Sequence, residues 1–553
     1  MKINLFSSSL YFLQKRMVIK MKLKIIPLLL AFVLCTALPG CGDKMPNGGE
    51  KIDPNRKQLY VGNFNGGMGS EWMDELDKAF EAAYPEYQVI VDNKKLEYNG
   101  AQLSATMKTN RQDIYFTTEV NYFDFIAEGH FEDITSVVTE KFETVDGIEY
   151  SIEDKIEPTV RKYFNKDNKY YAIPFFTAVY GIVYDKDLFE ENYLYGLPDY
   201  SSQFGPDGME GTYDDGLPAT WNDFVFLMEE MIRRGITPFT WANMSYYRTA
   251  MLKALWANYE GYDDYLLNYS FNGTHSSLGE IREDNGYILQ NQGGKKAAIQ
   301  AAYDIMHTQI AGKKAYSSRA TDASQSNIAA QEEFISSRPT ADPQRDKYPI
   351  AMMFEGGWWE NEARGAFDDL VLEYGEEYGY GNRRFGYMPF PRFVGTPNVP
   401  DQINTKPVLY SDIESSVFIS AYSPRKDIAK KFLQFSTSNA MLSLCTKITG
   451  VVRPFTYTMS KEDLGKMTEY GKDMYNIYSS SDTRLVTGYN LSPLRRDKKS
   501  YFDDWDFGAL IDGIPYGDPI YAFSVKNNYS AADYIRQGAE KYTKESWQKM
   551  LNR

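Results

Sequence analysis

Beginning at Gln58, the hydrophobic spacing switches repeatedly between the two-residue period of a strand and the 3.6-residue period of a helix. Leu59-Tyr60-Val61 reads as a strand, and Asn63 to Gly69 is a Gly/Asn-rich turn. Ser70 is placed to cap a helix with Met73, Leu76, Phe80 and Ala83 on one face, ended by Pro85. Tyr87 to Val91 reads as a second strand, Ala101 to Thr109 as a second helix and Asp113 to Phe116 as a third strand. Such alternation predicts an α/β lobe with a largely parallel sheet. A further unit follows: a strand from Tyr180 to Lys186, then a helix starting at Thr220 with Trp221, Phe224, Met228 and Met231 on one face and Gly235 past its end. Leu194 to Ala219, rich in Gly, Pro, Asp and Tyr, reads as an inserted loop, and Thr240 to His307 is helical in pattern.

The N-terminus constrains location rather than fold. Lys15, Arg16, Lys20, Lys22 and Lys24 precede an uncharged apolar run from Ile25 to Leu38, the layout of a secretory signal and too short to span a bilayer comfortably. The run ends in Leu38-Pro39-Gly40-Cys41, which resembles a bacterial lipobox, so Cys41 is expected to be acylated and to anchor the protein to the outside of the cell membrane. Residues 1–40 are thus read as a signal peptide and 41–57 as a flexible polar tether. With the signal removed and Cys41 acylated, only Cys445 is left, so no disulfide framework holds the fold. About 500 residues follow the tether, enough for two cores. The formal charge of −15 argues against nucleic acid or anionic lipid as the main partner.

Several segments, in order, carry a resemblance over nearly the whole mature chain. Lys169 to Pro174 (Lys-Tyr-Tyr-Ala-Ile-Pro) is followed by Tyr184-Asp185-Lys186-Asp187-Leu188-Phe189. Then come Leu217-Pro218-Ala219-Thr220-Trp221-Asn222-Asp223-Phe224, the segment Ala351 to Trp359, Phe385 to Pro391, and Phe418 to Phe435 with its helix from Asp427. Together these resemble the family 1 extracellular solute-binding proteins, the group that includes maltose-binding protein; Asp185 stands where Asn is commoner. The resemblance implies a two-lobed α/β clamp, each lobe a sheet flanked by helices, with ligand in the interlobe cleft. It implies lobe one at 58–176 and 408–456 and lobe two at 177–407 and 457–553, with crossings near Phe176–Tyr180, Asn404–Glu414 and Arg453–Thr456. It also implies a monomeric receptor that hands a small solute, a sugar by preference, to the permease subunits of an ABC importer. The loop from Leu194 and the region Asp263 to Gln292 look inserted relative to that family.

A sugar offers hydroxyls and an apolar ring face, so its site needs hydrogen-bonding side chains beside flat aromatics. Trp358 and Trp359 follow the Gly356-Gly357 turn, and Trp358 falls on the family tryptophan that stacks on sugar in its maltose-binding member. Loops beyond lobe-one strand ends offer Asn63, Asn65 and Gly66, and Thr117, Thr118 and Glu119. Where the family often has a carboxylate this chain has Ala178, which leaves Tyr180 and Glu355 as substitutes. Trp241 and Tyr246 are candidates for a lobe-two wall, and Asp412 and Glu414 for the re-entry to lobe one.

No catalytic constellation stands out. His130, His275 and His307 lack metal-ligand spacing, and no Gly-x-Ser-x-Gly elbow or P-loop occurs. A glycosidase needs only two facing carboxylates, so a secreted carbohydrate-active enzyme is the alternative to a binding protein. No cofactor is expected, except that the Gly-rich loop with Asp207, Asp214 and Asp215 has the oxygen ligands of a structural Ca²⁺ site without EF-hand spacing.

Overall fold

The computed structural model describes residues 52–551 except 96, 144–146, 339–347, 413–414, 481, 488–509, 512–513, 516–517 and 526–527. Cys41 and Glu414 therefore lie outside the described residues.

The strands that build the two lobes are, in chain order, β1 (Lys57–Phe64), β2 (Tyr87–Lys94), β3 (Ile114–Thr118), β4 (Ala178–Asp185), β5 (Thr237–Trp241), β6 (Ile350–Gly356), β7 (Phe385–Met388), β8 (Val408–Asp412), β9 (Ser415–Ile419) and β10 (Arg484–Thr487). Lobe one is a four-stranded sheet in the order β9-β3-β1-β2. As the alternating pattern requires, β1 runs parallel to β2 and β3; only β9, the returning strand, is antiparallel to its neighbour. Lobe two is a six-stranded sheet in the order β10-β8-β4-β6-β5, with β7 also on β4. Central β4 is antiparallel to β6, β7 and β8.

The helix after β1, α1 (Glu71–Ala83), buries Trp72, Met73, Leu76 and Phe80, the face its spacing predicts. Ser70 is its N-cap residue but makes no side-chain cap bond; its φ of −113 and ψ of −17 are already helical, not the extended geometry that aims a hydroxyl at the first turn. Phe80 packs edge-on against Phe432 and Phe435 from the returning segment, at 5.0 and 5.3 Å between ring centres. In lobe two, α2 (Trp221–Arg233) starts with a capping box between Thr220 and Asp223 and buries Trp221, Phe224, Met228 and Met231, and Gly235 beyond its end has φ +73.

Asp185, the departure from the family's Asn, uses its charge. Fully buried, it caps the next helix through Leu188 N–H (2.9 Å) and pairs with Arg383 (2.6 Å) and Arg338 (3.1 Å). An amide there would leave buried Arg383 without a counter-charge among the described residues, whereas Arg338 would keep Glu191 (2.8 Å).

Two boundaries move. Val408–Asp412 belongs to lobe two, where it pairs with β4 and β10, so lobe one resumes at Ser415 rather than at 408. Only two residues separate β8 from β9, and burial is nearly continuous across both strands, so the sequence carries no mark of the change of sheet. Within Thr240–His307, the pattern is helical only in part: a hairpin (Asn272–His275 with Gly279–Arg282) interrupts it. That hairpin region has its own small core, Leu267, Phe271, Ile281 and Leu289, closed by Trp547 of the C-terminal helix.

Candidate ligand cleft

The three lobe crossings converge on one dipeptide. Ser415 Oγ accepts the N–H groups of Phe175 (3.1 Å) and Phe176 (3.0 Å) and donates to Phe176 O (2.5 Å). Arg453, from the third crossing, donates to Phe175 O (2.9 Å).

Just beyond this junction, the turn after β6 meets the turn after β1. The Trp358 indole stands edge-on to Tyr180 (5.6 Å, 84°) and Phe176 (6.4 Å, 69°). It folds over Gly356, where a Cβ would sit 2.4 Å from the ring, and lies under Gly67, where a Cβ would be 2.9 Å from Cδ1. Gly67 has φ +33, a conformation that further favours glycine. Lobe two reaches lobe one twice more here: Asn361 Nδ2 donates to Gly67 O (3.0 Å), and Arg364 pairs with Glu71 (2.8 Å) and donates to Ile448 O (2.6 Å). The lobes therefore touch around an aromatic ring at the carboxyl ends of both sheets, where ligands of such sheets are held.

The other expected residues divide by depth. Tyr180 lies at the ring cluster, its hydroxyl bonded to that of Tyr246. Asn63 is buried, donates to Asn93 Oδ1 (2.7 Å), and has an Oδ1 with no donor. Asn65 is exposed and Gly66 leaves room for the Phe64 ring. Thr117 donates to Ser416 O (3.1 Å), Thr118 pairs with Ser415, and exposed Glu119, in the left-handed region at φ 54, accepts from Asn99 (2.5 Å). Asp412 accepts from the Tyr410 hydroxyl (2.7 Å). Trp241 and Trp359 are not cleft walls: Trp241 packs with Phe239 and Tyr316, and Trp359 among Phe334, Phe385 and Tyr470. Trp358 is the N-cap and Trp359 the first residue of the short helix Trp359–Glu362, where successive side chains turn by roughly a quarter of a circle, so the two neighbouring rings diverge and one enters the core. Asn361 and Arg364, which sequence reasoning missed, follow Trp358 at three-residue intervals on its helical side, the only signal that would have found them.

Glu355 is buried, and that burial, reinforced by Glu362, pushes its carboxyl well above the ordinary range although the Gly356 N–H opposes the rise. Its Oε2 has no donor. Beneath the lobe-one turn the opposite holds. Arg453 is buried beside Trp72 and Met68 with Nε and Nη2 unpartnered, and burial lowers its pKa.

The Asp207–Asp215 loop spends its carboxylates on its own chain: Asp214 accepts from Asp207 N–H (3.1 Å) and the Thr212 hydroxyl (2.6 Å), and Asp215 from Gly211 N–H (2.8 Å). Among the described residues the one trio of acids and imidazoles gathered closely enough for a metal is Glu260, Asp264 and His275. There the Ser277 and Leu278 N–H groups point at His275 Nδ1 (3.1 and 3.3 Å), so the ring proton sits on Nε2 and goes to Glu260 (3.0 Å). Both nitrogens are engaged, so the trio locks the hairpin to its helix with no imidazole lone pair left for a metal.

No curated protein matches the sequence significantly. Among solved structures, the chain is similar to that described as "SBP RafE in complex with raffinose", with TM-score 0.52 and 14% identity, covering 89% of this chain and 99% of that one. An apo-form of RafE from Streptococcus pneumoniae gives 0.52 and 14%, over 91% and 100%. A structure from a study of xylan utilization by the thermophilic bacterium Caldanaerobius polysaccharolyticus gives 0.54 and 16%, over 88% and 100%. At these identities the likeness shows a shared fold, the two-lobed α/β architecture. The sequence itself matches, over residues 65–441, the family described as bacterial extracellular solute-binding protein, and the chain belongs to that family.

Proposed function

We propose that this protein is the substrate-binding component of a bacterial ABC importer, held at the membrane by an acylated Cys41, that closes on a small carbohydrate or oligosaccharide and delivers it to the permease unchanged. Family membership implies an extracytoplasmic location, and among the described residues no helix is long and apolar enough to cross a membrane. The observation that carries the reading is the Trp358 ring, set between Tyr180 of its own lobe and Phe176 and the Gly67 turn of the other. A ring contacted from both lobes gives a flat ligand face more to hold in the closed state than in the open one, so ligand shifts the population toward closure. Asn63 Oδ1, a buried acceptor without a donor, and the buried Glu355 carboxyl, each near the end of its strand, suit a ligand rich in hydroxyl groups. The similar solved structures, one in complex with raffinose and one from a study of xylan utilization, support the carbohydrate class.

The test is titration with raffinose-type and xylan-derived oligosaccharides, reading thermal stability, small-angle scattering and product formation together. Stabilisation and compaction with intact sugar are the expected result. Hydrolysis would replace this reading with that of a carbohydrate-active enzyme, and silence across a broad glycan panel would remove the carbohydrate. Cys41→Ser is expected to release the protein from membranes; unaltered membrane association and mass would overturn the anchor.

A further inference from the structure

At the end of the lobe-two sheet away from Trp358 lies a cavity of about 570 Å³, within the range of small-molecule sites. Thr237 and Ile350, which begin β5 and β6 and pair with each other, line it, while Trp358 follows the other end of β6, about 20 Å away along a strand. It is therefore separate from the interlobe cleft.

The floor is apolar and buried: Ile232, Ile236, Ile350 and the ring of Tyr316. The rim is cationic. A tight hairpin turning at Ala311 (φ 50) and Gly312 (φ 81) presents Lys313 and Lys314, and Arg319 stands on the adjoining short helix. Lys313 lies over the Tyr348 ring (4.3 Å) and Lys314 over that of Tyr316 (5.0 Å), each bonding the tyrosine's hydroxyl. No carboxylate among the described residues lies within ion-pair distance of these three cations; Asp322 feels Arg319 only at longer range. Glu333, the acid lining the cavity, is saturated by donors from Thr240 (3.0 Å), Ser317 (2.5 Å) and Gln325 (2.7 Å). In a chain with a formal charge of −15, three cations that form no ion pair among the described residues, gathered around one apolar floor, are a selective arrangement.

We infer that this cavity is a second ligand site, for a small organic anion whose apolar or aromatic body rests on the isoleucine and tyrosine floor and whose carboxylate or phosphate meets Lys313, Lys314 and Arg319. A cavity of this volume suits a small molecule better than a protein surface, which would need a flatter and larger patch.

Calorimetric titration of the purified protein at low salt tests this with four probes: phenyl phosphate, benzoate, inorganic phosphate and benzyl alcohol. One of the two aromatic anions is expected to bind at least about tenfold more tightly than inorganic phosphate, which lacks the body, and than benzyl alcohol, which lacks the charge. The better of the two identifies the anionic group. In the doubly substituted Lys313→Glu, Arg319→Glu protein, whose changes are at exposed positions, that binding is expected to fall by about tenfold or more with the melting temperature unchanged. Phenyl phosphate and benzoate no tighter than benzyl alcohol, or anion binding unaltered by the charge reversals, would overturn the proposal. So would binding of poly-glutamate with no response to the small anions, which would point to an acidic protein partner. Glycan binding at the cleft should be indifferent to both substitutions.

Discussion

Two glycine turns, Gly66–Gly69 after β1 and Gly356–Gly357 after β6, meet across the cleft with opposite roles. In lobe two, glycine lets a side chain fold back: the missing Cβ of Gly356 is where the Trp358 ring lies. In lobe one, glycine makes room for someone else's side chain, since Gly67 sits against that same ring. Their supports differ too. The lobe-one turn rests on a buried base, Arg453, and the lobe-two turn on buried acids, Glu355 and Glu360. None of the three makes an ion pair within the described residues, so each turn's foundation carries its own desolvation penalty rather than sharing it with a partner. Complementary surfaces here arise from one lobe's absence of a side chain and the other's possession of one.

The sharpest way to separate the halves of the lobe-two turn is to truncate its two tryptophans in turn. Trp359→Ala removes a fully buried ring and is expected to lower stability by about 3–5 kcal/mol, measured by denaturant unfolding. A loss below 1 kcal/mol would mean Trp359 is not core.

Next in size is a pH effect confined to the lobe-two support. Burial pushes Glu360 up to about 7, with the Thr468 hydroxyl working against the rise. Folding thus favours its protonated form: the stabilisation is complete below the unfolded carboxyl's ordinary pKa and is lost as pH rises through about 7. The displacement corresponds to about 3 kcal/mol, visible as a fall in melting temperature over that window which Glu360→Gln should flatten. An equally steep fall in the variant would assign the effect elsewhere.

Trp358→Ala is expected to leave the fold intact and weaken glycan binding by about 2 kcal/mol. Unchanged affinity in a folded variant would break the comparison at its centre. Gly67→Ala probes the opposite turn, where the added methyl must displace the indole; a loss of about 1 kcal/mol in binding, with scattering shifted toward the open form, is the expected outcome. A variant that binds as tightly as the parent would show that the turns need not touch when ligand is held.

Much of this was readable beforehand because local physics sets it. The spacing on α1 and α2 and the Thr220 cap depend on neighbours within one turn of helix, and the Gly356-Gly357-Trp358 signature announces a ring at a strand end. What stayed hidden depends on pairing at long range. The assignment of Val408–Asp412 to lobe two is decided by β4 and β10, some of it more than two hundred residues away in sequence. Trp241 and Trp359 have the composition of cleft walls and the surroundings of core residues, a distinction that exists only once Phe239, Tyr316 and Phe334 are packed around them. Asn361 and Arg364 are ordinary helix-surface residues until Gly67 and Glu71 arrive from the other lobe.

The Ser415 hydroxyl turns the junction of the crossings into a reporter. Because Ser415 opens β9 where the chain re-enters lobe one, and its hydroxyl holds the amides of Phe175 and Phe176 where the chain leaves that lobe, their protons exchange with water only when the two crossings part at their lobe-one ends. The exchange rate of those two protons is therefore a clock for hinge separation, distinct from any signal that follows the opening of the cleft. A hinge that bends without breaking would leave both amides protected through every cycle of capture and release, while a hinge that works by disassembly would spend their deuterium within a few turnovers.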